Sequence, residues 1–169
     1  MADKYLKVGT THLHEEQEAT VVSTGVSEAG DIVALGADGL LDPSVLPAGV
    51  GQNVDVIPSF ENLAAGDWVN IFDDSGTVKV RKADNSNQRR AHGFVKAAVT
   101  APANASVYGP GELNDQLTGL TLGVEYYLGT GGGETATIPS ATGEIAQGLG
   151  VTKSTTAIRF NPSQPVLRA

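Results

Sequence analysis

From Val54 onward, short runs of β-branched and aromatic residues recur at intervals of roughly ten residues, each bounded by glycine, proline, asparagine or aspartate. That cadence leaves little room for helices, and clear helical periodicity is almost absent. The 21 glycines among 169 residues exceed ordinary usage and multiply the turns. The chain therefore reads as all-β: a small β-sandwich or barrel-like domain over 54–169, preceded by an extended N-terminal arm over 1–53.

Within the domain, Asp67–Phe72 and Thr77–Lys82 flank Asp73-Asp74-Ser75-Gly76, which predicts a hairpin with its glycine at the turn. Alternation in the second strand puts Val78 and Val80 on a core face and Lys79 and Arg81 on a basic strip. Val54, Val56 and Pro58 form an edge-like run. Further strands are expected over 91–99, 105–108, 124–128, 136–138, 145–151 and 156–160. Asn85–Arg90 is a polar loop, and Gly129–Gly133 reads as a mobile turn.

The arm is different. Tyr5, Leu6 and Val8 are followed by the polar run His12–Glu18 and the strand-like Thr20–Thr24. These apolar residues are too few to offset chain entropy alone, so the arm is expected to become ordered against a partner. Ile32, Val33 and Leu35 then lead through Gly36–Gly39 to Leu40 and Leu41, an extended-turn-extended unit. Asp42 before Pro43 predicts an N-cap, with Pro47 limiting the helix to about one turn that presents Val45 and Leu46 as an apolar knob. A segment this apolar and too short for its own core needs another surface to lie on. Residues 49–53 read as a flexible joint.

Charge narrows the partners. Residues 1–76 carry 2 Lys/Arg against 13 Asp/Glu (net −11), residues 77–96 carry 6 against 1 (net +5), and residues 97–169 carry 3 against 5 (net −2). The overall −8 argues against nucleic acid held through phosphate attraction. No apolar run approaches the ~20 residues of a membrane span, and the polar residues 1–4 do not open a secretory signal, so a protein made and kept soluble is expected. Without cysteine there is no disulfide and no thiolate chemistry.

No constellation of reactive residues rises above a structural explanation. His12 and His14 beside Glu15, Glu16 and Glu18 could gather a divalent metal, but they lack helical i, i+4 placement, and a solvated charged arm is the stronger reading. Gly129–Gly133 has no closing lysine for a phosphate loop. Asp73 and Asp74 sit where turn residues belong. The run Asp84–Asn87 lacks the later ligands of a calcium loop and meets Arg89 and Arg90 instead. His92 falls in a strand-like run, and no Gly-x-Ser-x-Gly elbow occurs. Trp68, Tyr126 and Tyr127 could form a sugar-stacking platform but read more simply as core anchors. The expectation is no enzyme, no cofactor, no metal and no small-molecule substrate.

The segment Ala29–Pro47 resembles a phrase found in tailed-bacteriophage structural proteins, near the start of the exposed domain of head decoration proteins and fibres; its usual lysine is Asp31 here. The stretches Ala65–Ile71, Val80–Asp84, Ala91–Val95, Gly123–Gly129 and Gln147–Thr152 are similar to the small β domain of phage head decoration (cement) proteins. The resemblance implies a non-catalytic virion protein on the outer capsid surface, made in the host cytoplasm. It also implies a homotrimer that contacts the major capsid protein where its subunits meet. Contact would fall to Tyr5, Leu6, Val8, Ile32, Val33, Leu35, Leu40, Leu41, Val45 and Leu46. Charge segregation adds a second surface, the basic residues Lys79, Arg81, Lys82, Arg89 and Arg90 meeting acidic residues of a neighbouring copy. A tail-fibre or receptor-binding module and a carbohydrate-binding β module are the alternatives.

Overall fold

The computed structural model describes residues 4–9, 12–23, 29–46 and 53–169. The protein is all-β, with fourteen strands among the described residues and helical structure confined to single 3₁₀ turns. The chain divides into two compact units, residues 1–51 and 52–169.

In the first unit, β1 (Lys4–Val8) pairs antiparallel with β2 (His14–Glu18), Lys4 opposite Glu18 and Val8 opposite His14. The polar run expected to be a solvated arm is thus a strand. Its carboxylates face a lysine-bearing partner, and Lys4 Nζ lies 2.7 Å from Glu16 Oε2. After the hairpin, Thr20 and Val33 form a parallel bridge: Thr20 N–H donates to Ile32 O (2.9 Å) and Ala34 N–H to Thr20 O (3.0 Å). The strand expected over 20–24 is not formed, since Val21 and Val22 lie in a bend and Thr24 falls outside the described residues. Gly36 N–H donates to Leu40 O at 2.8 Å, closing the turn that the glycines announce. Asp42 Oδ1 accepts the Ser44 N–H at 2.8 Å and caps the 3₁₀ turn Pro43–Val45, as its place before proline predicts. Pro47 and most of the joint at 49–53 lie outside the described residues.

The second unit holds two five-stranded sheets. β3 (Val54–Pro58), β4 (Trp68–Asp74), β5 (Thr77–Lys82), β6 (Gly93–Val95) and β7 (Asn104–Tyr108) form an antiparallel sheet in the order β3-β7-β6-β4-β5. Its edges meet: Ser59, just past β3, bridges Val80 in parallel, and Phe60 N–H donates to Val80 O at 2.8 Å. An odd number of antiparallel strands closes only with one parallel pair, and this contact supplies it. β8 (Leu113–Asn114), β9 (Glu125–Leu128), β10 (Glu134–Thr135), β12 (Gly148–Ser154) and β13 (Ala157–Arg159) form the second sheet, in the order β10-β9-β12-β13-β8. β11 (Ile145–Ala146) pairs with β14 (Val166–Leu167) alongside.

Alternation divides the core in two. Val69, Val80, Val95 and Val107 fill the barrel with Ile57 and Leu63. Trp68 and Phe94 leave the opposite face of the same strands and pack with Leu128, Leu149, Ile158 and Phe160. The rings of Trp68 and Phe94 stand edge to face at 5.4 Å between centroids. One sheet thus serves both cores.

Several local expectations need correction. Val78 was expected in the core but is 56% exposed, because it lies beside the hairpin tip beyond the reach of the barrel. Val56 is exposed and Ile57 supplies the core contact of β3. The strand expected at 136–138 is displaced to β10, where Glu134 and Thr135 pair with Leu128 and Tyr127. Gly129–Gly133 is pinned: Trp68 N–H donates to Gly132 O and Gly132 N–H to Ala83 O, both at 2.8 Å. Asp84 Oδ2 also accepts the Gly131 N–H at 2.9 Å.

Candidate functional site

The apolar residues of the first unit form a surface without an interior. Among its described residues none is buried, and Leu6, Val8, Ile32, Val33, Leu35, Leu40 and Leu41 are between 45% and 69% exposed. Tyr5, Val45 and Leu46 are half-buried. What holds the segment together is polar. Asp31 accepts from Tyr5 Oη (3.0 Å) and Thr20 Oγ1 (3.5 Å), and Lys7 Nζ lies 3.6 Å from it. Asp31 thus fastens the 30–35 stretch to the hairpin.

The five basic residues do not make one strip. Lys79 and Arg81 share the outer face of β4–β5: Lys79 Nζ is 2.7 Å from Asp74 Oδ2, and the Arg81 guanidinium lies 4.0 Å from the centre of the Phe72 ring. Arg81 Nε also donates to Asn70 Oδ1 at 3.0 Å. Desolvation, with the nearby Arg89 charge, lowers the Arg81 pKa from its ordinary value. Lys82 is on the other side of the strand, paired with Asp67 at 3.1 Å, as a period of two requires. Arg89 and Arg90 come from the polar loop; Arg89 bridges Asp84 through its backbone and Arg90 Nε lies 2.7 Å from His92 Nε2. The fold therefore gathers Arg81, Arg89 and Arg90 near Asn70 and His92, and separates Lys82 from them.

Sequence reasoning missed Phe60 and Phe72 as surface features. Their rings meet edge to face at 5.4 Å, Phe60 is half-exposed, and Lys79 stands over it at 5.8 Å. The signal was present in the alternation, since Phe72 shares a face with Asn70 and Arg81. Aromatic rings beside arginine are the residue types that dominate protein interfaces.

The residues weighed for chemistry take ordinary places. Trp68 and Tyr126 are buried, and Tyr127 Oη donates to the adjacent Glu125 at 3.1 Å, so the three aromatics share no open face. His92 Nδ1 accepts the Ile71 N–H at 2.9 Å. Burial and the Arg90 charge both lower its pKa below the ordinary histidine value. Asp84 caps the turn Asn85–Asn87; burial pushes its carboxyl up, but hydrogen bonds from Ser86 and Gly131 and the Arg89 charge outweigh this and hold it low. Among the described residues no three His, Asp or Glu side chains converge as metal ligands.

No family model, no curated protein and no solved structure matches this chain.

Proposed function

We propose that the chain is a non-enzymatic structural protein of a tailed-phage virion that decorates the outer capsid surface and stabilises the head by bridging major capsid subunits. The observation that carries this reading is the coreless first unit, whose exposed aliphatic side chains are held in place by Asp31 and backbone pairing. Fully burying one such side chain contributes about 1.5–3 kcal/mol, and association costs about 4–15 kcal/mol before any net affinity appears. The seven side chains are about half-exposed, so burying them together on one partner would contribute about 6–12 kcal/mol, comparable with that cost. The phage-like phrase at 29–47 contains all five of those that follow the hairpin, Ile32, Val33, Leu35, Leu40 and Leu41.

In this reading the protein is a homotrimer, and Arg81, Arg89 and Arg90 meet acidic residues such as those of His14–Glu18 on a neighbouring copy. The pairing sets register more than affinity, so raising salt should promote trimer dissociation. A salt-independent trimer would remove the charge pairing from the scheme.

The deciding experiment mixes purified protein with undecorated heads and counts bound copies for the full chain and for residues 52–169. Saturable binding by the full chain and none by the shorter one is expected. No saturable binding by the full chain would favour a tail-fibre role instead, and equal binding by both would refute the first unit as anchor.

A further inference from the structure

Arg90 and His92 line a cavity of about 240 Å³ together with Pro110, Pro162, Ser163 and Pro165. We propose that it is a carboxylate-binding site, in which the His92 Nε2–H and the Arg90 guanidinium hold the two oxygens of one carboxylate.

The surroundings of Nδ1 fix the tautomer of His92. Ile71 N–H donates to Nδ1 at 2.9 Å, and Asn70 Nδ2 lies 3.4 Å from it. Asn70 presents its amino group there because its Oδ1 accepts from Arg81 Nε at 3.0 Å, while Nδ2 also donates to the Arg90 carbonyl at 2.9 Å. With Nδ1 an acceptor, the neutral ring carries its proton on Nε2. That proton meets a second donor, since Arg90 Nε stands 2.7 Å from Nε2 and a guanidinium has no acceptor to offer. Moving the ring proton to Nδ1 would transfer the conflict to Ile71, and ionising the ring would create it at both nitrogens. The series Arg81, Asn70, His92, Arg90 therefore ends one acceptor short.

An acceptor from outside resolves the conflict, and the charge around the cavity selects an anion. No residue lining it is acidic, and among the described residues no Asp or Glu forms an ion pair with Arg90. Residues 77–96 carry 6 Lys/Arg against 1 Asp/Glu. The other polar groups of the wall are already engaged: Gln147 exchanges hydrogen bonds with the Ala91 N–H (2.7 Å) and carbonyl (3.0 Å), and Ser163 Oγ accepts the Gly148 N–H at 2.7 Å. His92 Nε2–H and the exposed Arg90 fork are left as donors, a pair that suits the two coplanar oxygens of a carboxylate. The three prolines supply apolar walls for the carbon that bears it. A free organic acid and a Glu side chain of a neighbouring copy both carry that group, and only the second source rests on the association of copies inferred above.

Full-length ¹⁵N-labelled protein would be titrated at neutral pH with sodium acetate while the His92 ring nitrogens are followed, against sodium chloride at equal ionic strength. Acetate should shift Nε2 saturably with a millimolar Kd, and chloride should not. Arg90→Gln, which keeps the backbone carbonyl that holds Asn70, should weaken acetate binding at least about tenfold. Lys153→Gln, which removes an exposed positive charge elsewhere, should leave it unchanged. No saturable shift, an equal response to chloride, or equal responses in the two variants would overturn the proposal. A shift present before acetate is added, and fading on dilution of the protein, would bear the proposal out with a neighbouring copy as the source; one that needs acetate at every protein concentration would do so with a free acid. None of these readouts involves head binding, so failure here and failure of the capsid reading are told apart.

Discussion

Glu134 and His92 pull the stability of this protein in opposite directions as pH changes. Burial raises the Glu134 pKa above its ordinary 4.5, with the Trp68 hydrogen bond opposing the shift. A carboxyl raised in the folded state contributes stability that is present below its unfolded pKa and is lost as pH rises through the folded value. Glu134→Gln keeps an acceptor for the indole and removes the desolvated charge. It should therefore raise the urea midpoint at pH 7 to 8, with the gain vanishing below about pH 4. Equal midpoints at every pH would show that the charge is not desolvated. For His92 the sign reverses. Its pKa is lowered from 6.5 by burial and then by Arg90, and its Nδ1 accepts the Ile71 N–H, which only the neutral ring can do. Stability from the neutral ring is present above pH 6.5 and is lost as pH falls through the folded pKa. An NMR titration should place the His92 midpoint below the ordinary 6.5, and a higher midpoint would contradict the burial argument. Gly150 makes a steric case of its own: at φ 139° a Cβ would overlap the Arg159 carbonyl oxygen, so Gly150→Ala cannot be relieved by a rotamer change.

At the scale of elements, the β4–β5 hairpin shows how much the chain announces locally. Ser75 and Gly76 both have positive φ, 55° and 89°, the signature of a two-residue type I′ turn. Asp73 Oδ1 accepts the Gly76 N–H at 2.9 Å. A Cβ at Gly76 meets nothing within 4 Å, so Gly76→Ala is penalised only through its backbone. It should cost about 1–2 kcal/mol in denaturant melts, and a cost near zero would show that the turn rearranges freely. This hairpin, the all-β class, the Asp42 cap and the burial of Trp68 were legible because each depends on neighbours in sequence. What depended on distant partners was not. The strand β2 is hidden in His14–Glu18 because its pairing is with β1 and not with a core. The pinning of Gly129–Gly133 comes from Trp68, Ala83 and Asp84, about fifty to sixty residues away, a separation that the glycine run itself cannot signal. Lys82 could have been separated from Lys79 and Arg81 by the period of two, and that signal was available.

For the whole molecule, the decisive fact is where the buried apolar residues come from. Every one of them among the described residues, from Ile57 to Phe160, belongs to the second unit, and its two cores share the strands β4 and β6. Loosening either core strains the sheet that forms the wall of the other. Leu63→Ala in the barrel and Leu149→Ala in the second core should each cost about 2–5 kcal/mol and displace one common transition, seen alike by Trp68 fluorescence and far-ultraviolet circular dichroism. Separate transitions would mean two independently folding halves. The same distribution predicts the behaviour of residues 52–169 alone. That fragment retains every buried apolar side chain, the barrel closure at Ser59–Val80 and both five-stranded sheets. Its denaturation midpoint and slope should match those of the full chain, because both reflect surface buried within this unit. Residues 1–51 alone, with no described residue buried, should show no cooperative transition under the same conditions. A lower midpoint for the fragment would mean that the first unit shelters the β body, and its aliphatic surface would then be spent within the chain and withdrawn from any outside partner.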